Sequence, residues 1–150
     1  MANVKLAVWI ISIITVLCLA DSIIIEIQKS ANNGNQPNFC SIVDKNSNCL
    51  DVQNSQYGKI FGFDNAIYGI IGFALLLISS LLYITISSRI SGFMTAAGGT
   101  IAGIMGIWFI YVQSFILKAF CSLCMIVDIL SIILLIPSIY LFIILIRKIR

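Results

Sequence analysis

Apolar residues fall in four long stretches of this chain, roughly 6–27, 65–87, 93–114 and 119–146, and polar residues fill the gaps between them. A helix needs about 20 apolar residues to cross a bilayer, so each stretch is long enough. The pattern predicts an all-α protein, an integral membrane bundle of four transmembrane helices forming a single domain over residues 1–150. The one sizeable polar region, about 28–64, is a predicted loop between the first and second spans, and it begins in a turn-rich run from Lys29 to Asn38. The inner connection Ser87-Ser88-Arg89 is very short, which makes the second and third spans antiparallel neighbours. Gly99 and Gly103 form a GxxxG pair that lets helix backbones approach closely. Pro137 is expected to kink the fourth span.

Composition strengthens this picture. Apolar residues make up 60% of the chain and charged residues 10%, a balance that a soluble domain of this size could not bury. The net charge of +3 is small and no basic run lies in mid-chain, so nucleic acid is not an expected partner. The chain has no His, which removes the commonest general base and metal ligand. The first span is expected to remain as a helix rather than be cleaved as a leader, and Leu17 is large for a residue preceding a lipoprotein cysteine.

The Lys and Arg residues set an expected orientation. Lys5, Arg89, Arg147, Lys148 and Arg150 would share one side with both termini and no acidic neighbour, which makes that side cytoplasmic. Lys29, Lys45, Lys59 and Lys118 would face outward, offset by Glu26, Asp44, Asp51 and Asp64. The cysteine-containing loop is therefore expected on the outer side.

Cysteine carries the candidate chemistry. Of five cysteines, Cys18 lies inside the first span and reads as a small buried apolar residue. Cys40 and Cys49 fall in the outer loop. Cys121 and Cys124 form a CxxC at the outer end of the fourth span, because about 39 Å of helix separates Cys121 from Arg147 and the hydrocarbon core is about 30 Å thick. A helix start favours a thiolate through its unpaired N–H groups and dipole. A thiolate attacks a disulfide or an electrophilic ring. Two pairs on one side of a membrane can therefore hand a disulfide from one to the other. Two alternatives stand beside this relay. One is a pair of structural disulfides, although a CxxC ring is too small to constrain much chain. The other is a four-cysteine zinc site, disfavoured by the wide loop spacing, so no metal is expected.

Three motifs then occur in order. The segment from Asn54 through Ser55, Tyr57, Gly58 and Phe61 to Gly62 is similar to an S-x-[WY]-G-x-x-F-G pattern. Asn65-Ala66-Ile67-Tyr68-Gly69 is similar to N-x-I-F-G. Phe120-Cys121-Ser122-Leu123-Cys124 matches F-C-x-x-C. With the loop pair upstream and four spans, the chain resembles the vitamin K epoxide reductase family over nearly its whole length. The resemblance implies a thiol–disulfide:quinone oxidoreductase. Cys124 would react with a membrane quinone of ubiquinone, menaquinone or vitamin K type. Cys121 would exchange with Cys49, and Cys40 would meet a thioredoxin-like or DsbA-like redox partner. Asn65 would hydrogen-bond a quinone carbonyl, its alternative being a helix N-cap. Ser55 would hold the loop segment over the site, and Tyr57 and Phe61 would anchor it at the interface, with Phe61 and Tyr68 counted among the quinone-site residues.

The chain departs from the vertebrate pattern at Asp128, where those members carry Tyr one turn below the second CxxC cysteine. That departure favours quinone reduction coupled to disulfide formation over epoxide reduction, the second reading. Asp128 shares a helix face with Cys124, and a carboxylate at that depth costs roughly 2.5–3.5 kcal/mol on insertion scales. It is expected to be neutral and to donate a hydrogen bond or proton toward the quinone oxygen, the alternative being an acid satisfied by hydroxyls of the second or third span. A reading from another class, a four-helix transporter using Asp21 and Glu26, leaves both cysteine pairs unexplained.

Overall fold

The computed structural model describes residues 2–31 and 49–147. Among them, four helices are long and apolar enough to cross a membrane. These are α1 (Ala2–Ala31), α3 (Asn65–Ile86), α4 (Arg89–Tyr111), which continues as a π-helical turn over Val112–Leu117, and α5 (Ser122–Arg147). A short helix α2 (Cys49–Asn54) and a hairpin of β1 (Lys59–Ile60) and β2 (Phe63–Asp64) lead into α3. Large apolar side chains such as Leu75, Ile101 and Ile136 remain exposed on the outside of the bundle, as lipid-facing positions do.

Helix boundaries follow local backbone chemistry. Ser87 ends α3 in the left-handed conformation (φ 54°), and its N–H caps the Tyr83 carbonyl. Only Ser88 then separates α3 from Arg89, so α4 starts four residues before the apolar stretch does. Lys118 (φ 50°) closes the π turn, which delays α5 to Ser122 rather than 119. The first helix runs past 27 to Ala31, with Lys29 in its last turn, where a cation complements the helix dipole. Helix α5 continues through Pro137 without interruption.

Glycines set the closest approach in the bundle. A Cβ on Gly99 would collide with the Ser138 hydroxyl, one on Gly103 would lie 2.8 Å from Leu135, and one on Gly106 would lie 2.7 Å from the Asp128 carbonyl. The third and fourth spans therefore touch backbone to side chain along their length, as the GxxxG reading expects. One apolar core, including Val8, Ile11, Ala96, Leu134 and Leu141, fills the bundle interior. A second cluster joins Ile25 of α1, Cys49 and Val52 of α2, Cys121, and Leu123 of α5 at one end.

Candidate active site

The CxxC is built by the start of α5. The Cys121 carbonyl accepts the Met125 N–H at 2.9 Å, which makes Cys121 the N-cap residue. An N-cap side chain ordinarily offers an oxygen to the N–H three residues on. Here the Cys121 sulfur takes that place, accepting the Cys124 N–H at 3.3 Å. Gln53 of α2 approaches the same sulfur from the other side, with Nε2 at 3.9 Å. Hydrogen bonding from the Cys124 thiol, opposed by burial and aided by the Cys124 backbone N–H and the Gln53 amide, holds the Cys121 thiol below its ordinary value.

Cys121 has no exposed surface, and neither has Cys49, which packs in the same cluster. Cys49 is disulfide-bonded, whereas Cys121 and Cys124 are free thiols. Cys40 lies outside the described residues.

A cavity of about 380 Å³ opens beside Cys124, a size suited to a small organic ring. Its walls are mostly apolar, drawn from all four long helices and from the segment above them. Cys124, Asp128, Asn65, Tyr68 and Ser55 line it; Cys121 does not. Cys124 thus sits between the cavity and the Cys49 cluster, and Cys121 is buried within that cluster.

The segment over the cavity is held by short polar contacts. Ser55 donates to the Val52 carbonyl at 2.7 Å and accepts the Gly58 N–H at 3.1 Å. Gly58 lies so close to the Val52 and Gln53 carbonyls that a Cβ would not fit. Asn65 is the first residue of α3; the N-cap is Asp64, which makes no side-chain cap bond. The Asn65 amide instead reaches back to the Tyr57 carbonyl at 2.6 Å. Its Oδ1 is buried with no hydrogen-bond partner among the described residues, an acceptor held at the cavity wall. Lys29 and Asp64, both cavity residues, form an ion pair that ties the end of α1 to the base of the hairpin.

Phe61 departs from expectation. It does not line the cavity. With Gly62 it forms the two-residue tip of the β1–β2 hairpin, both at positive φ (50° and 85°), the pattern of a type I′ turn. That geometry carries its ring away from the site and leaves it 94% exposed, where it can serve as an interfacial anchor but not as a cavity wall.

The partner of Asp128 differs from the hydroxyls named in the alternative reading. Among the described residues, no hydroxyl of the second or third span hydrogen-bonds its carboxyl. Gln113, in the π turn, donates from Nε2 to Asp128 Oδ2 at 3.0 Å. The same side chain accepts the Cys121 N–H on Oε1 at 3.0 Å. Gln113 was not among the residues singled out from the sequence. The available signal was its position as the only amide in the third span, where an uncompensated polar group is costly.

A dithiol at a helix start, set between a disulfide-bearing segment and an apolar cavity inside four membrane-length helices, is an arrangement suited to redox chemistry. The sequence profile of the Vitamin K epoxide reductase family matches residues 9–147, and the chain belongs to that family. It is therefore an integral membrane protein of a family that couples disulfide and quinone chemistry. Among curated proteins, no relative matches the chain.

Proposed function

We propose that the protein oxidises a thioredoxin-like partner on the outer side of the membrane and passes the electrons through two cysteine pairs to a membrane quinone. The partner dithiol reduces the Cys40–Cys49 disulfide and leaves oxidised. The Cys49 thiolate then attacks the Cys121 sulfur of the oxidised CxxC, releasing the Cys124 thiolate. Cys40 attacks Cys49 in the mixed disulfide and frees Cys121. The reduced pair returns to a disulfide as two electrons and two protons pass to the quinone, so dithiol plus quinone gives disulfide plus quinol. The carrying observation is that Cys124 lines the cavity, whereas Cys121, which does not, is buried in the same cluster as Cys49.

The cavity residues suit the quinone, which supplies a two-electron, two-proton acceptor when bound. Its ring needs apolar walls, and its oxygens need donors before reduction and acceptors after it. The Asn65 amide has a second N–H to offer a carbonyl, and its unpartnered Oδ1 can accept from a quinol hydroxyl. Asp128 is the buried acid on the cavity wall, and in this reading it carries a proton that it gives to the quinone oxygen. Tyr68 and Ser55 complete the wall on the loop side.

The test is quinone reduction by purified protein supplied with a reduced thioredoxin-like donor. Cys124→Ser and Cys121→Ser are expected to abolish turnover. Cys40→Ser and Cys49→Ser are expected to block turnover with the protein donor and to retain it with a small permeant dithiol. Near-normal activity in either CxxC variant would sink the relay; normal turnover of both loop variants with the protein donor would make the loop pair structural.

A further inference from the structure

Gln113 is 2% exposed and both ends of its amide are engaged. Its orientation is fixed by its partners. A backbone N–H can only donate, so the Gln113 atom facing Cys121 has to be Oε1. The NH₂ group then has to face Asp128. An N–H donor in turn requires an acceptor, so Asp128 Oδ2 cannot carry hydrogen toward Gln113. A carbonyl-type oxygen accepts more strongly than a hydroxyl-type one, so the bond from Gln113 favours a proton of this carboxyl on Oδ1.

The reach of Gln113 comes from the helix pair. Gly99, Gly106 and Gln113 are seven residues apart and share the face of the third span that meets α5. The backbones converge at Gly106 against Asp128. The π turn begins at Val112, and such turns displace side chains from the regular helical register. The Gln113 side chain thereby spans both the Cys121 N–H and the Asp128 carboxyl.

We propose that Gln113 is a positioning residue for quinone reduction, which clamps the CxxC helix start to the third span and fixes Asp128 so that Oδ1 is its proton-donating oxygen. The inference rests on the reading of Asp128 as the proton donor, and it adds to that reading a second residue and a choice of oxygen. The bridge also ties the proton donor to the CxxC backbone, so the acid and the dithiol are held in one rigid unit. Other titratable groups around the carboxyl are Cys18 and Asp21 of α1 and Cys121 and Cys124 at the start of α5, and Tyr68 of α3 lines the same cavity.

The test combines infrared difference spectroscopy with kinetics, on the full chain in lipid vesicles containing a quinone. Reduced-minus-oxidised spectra are expected to contain a protonated carboxyl C=O band that Asp128→Asn removes. A hydrogen bond to a carbonyl oxygen lowers its stretching frequency, so Gln113→Leu is expected to move that band to higher wavenumber. It is also expected to slow quinone reduction roughly ten- to hundredfold, while Gln113→Leu adds nothing to the loss in Asp128→Asn. Gln113→Glu covers the case in which the leucine variant does not fold. The introduced carboxyl can bridge the same two groups only while it keeps its own proton, and two adjacent carboxyls lose the first proton readily. The alkaline limb of its rate profile is therefore expected at lower pH than in the wild type. A missing Asp128 band overturns the acid reading itself. A band present but unmoved by Gln113→Leu, additive rate losses, or an unshifted limb in Gln113→Glu overturns the role of Gln113 alone.

Discussion

A sulfur atom in the position of a helix cap explains much of how Cys121 behaves. Its thiolate gains a backbone donor from Cys124 and an amide donor from Gln53. Both favour the charged form, and together with the Cys124 thiol they outweigh the burial that opposes it. A thiol held low is thiolate at lower pH, so removing a donor moves its titration upward. In Gln53→Leu, the rising limb of Cys121 alkylation by a small uncharged reagent, followed by mass spectrometry on the reduced protein, is expected at higher pH than in the wild type. An unmoved limb would mean that the Gln53 amide does not act on the sulfur. The cysteines themselves were legible in the sequence because CxxC at an apolar boundary has few other uses. Gln53 and Gln113 were not, because an amide carries no spacing rule that announces its partner; the partners appear only when α2 and α4 fold against α5.

At the scale of the elements, the apolar runs located all four helices but not their ends. The ends lie at Ser87 and Lys118, residues without strong turn preferences that adopt left-handed backbone here. No composition rule marks such positions, so the third helix starts earlier than the hydropathy suggests and the fourth later. Packing was more readable, since GxxxG has a direct steric meaning. At Gly103 a Cβ would meet both the Leu135 side chain and the Ser131 carbonyl within 2.9 Å. Gly103→Leu is expected to destabilise the bundle by about 1–3 kcal/mol through overpacking, measured as a lower midpoint of thermal unfolding in detergent. The same substitution at Gly72, whose Cβ would meet nothing within 4 Å, serves as the control. Equal losses at both positions would remove the close approach of the third and fourth spans as the cause.

For the whole molecule, the charge distribution expects both termini in the cytoplasm and both cysteine pairs outside. The shared cluster of Cys49 and Cys121 places α2 and the CxxC at one end of the bundle, so these two cysteines have to share whichever side is found. In sealed vesicles or cells, a cysteine introduced at Lys59 or Lys118 is expected to be labelled from outside by an impermeant thiol reagent, and one at Arg89 only from the cytoplasm. The reverse pattern would invert the orientation without disturbing the fold. Fold and family were legible at this scale because four membrane-length runs and three ordered motifs leave few other arrangements.

The complete enclosure of Cys121 has a consequence for cell physiology. A quinone pool is a strong oxidant, and a dithiol wired to it would drain reducing equivalents from any small thiol able to touch it. With Cys121 at zero exposure beneath α2 and Cys124 on the cavity wall, a polar thiol in the water meets neither sulfur, and only a small membrane-permeant reagent entering by the cavity reaches the pair. The enclosure works as insulation around a conductor, so that current from water-borne thiols flows through the contact that α2 closes. Selectivity then lies in access rather than in redox potential, and an enzyme of this kind can stay permanently connected to its oxidant without short-circuiting the thiols around it.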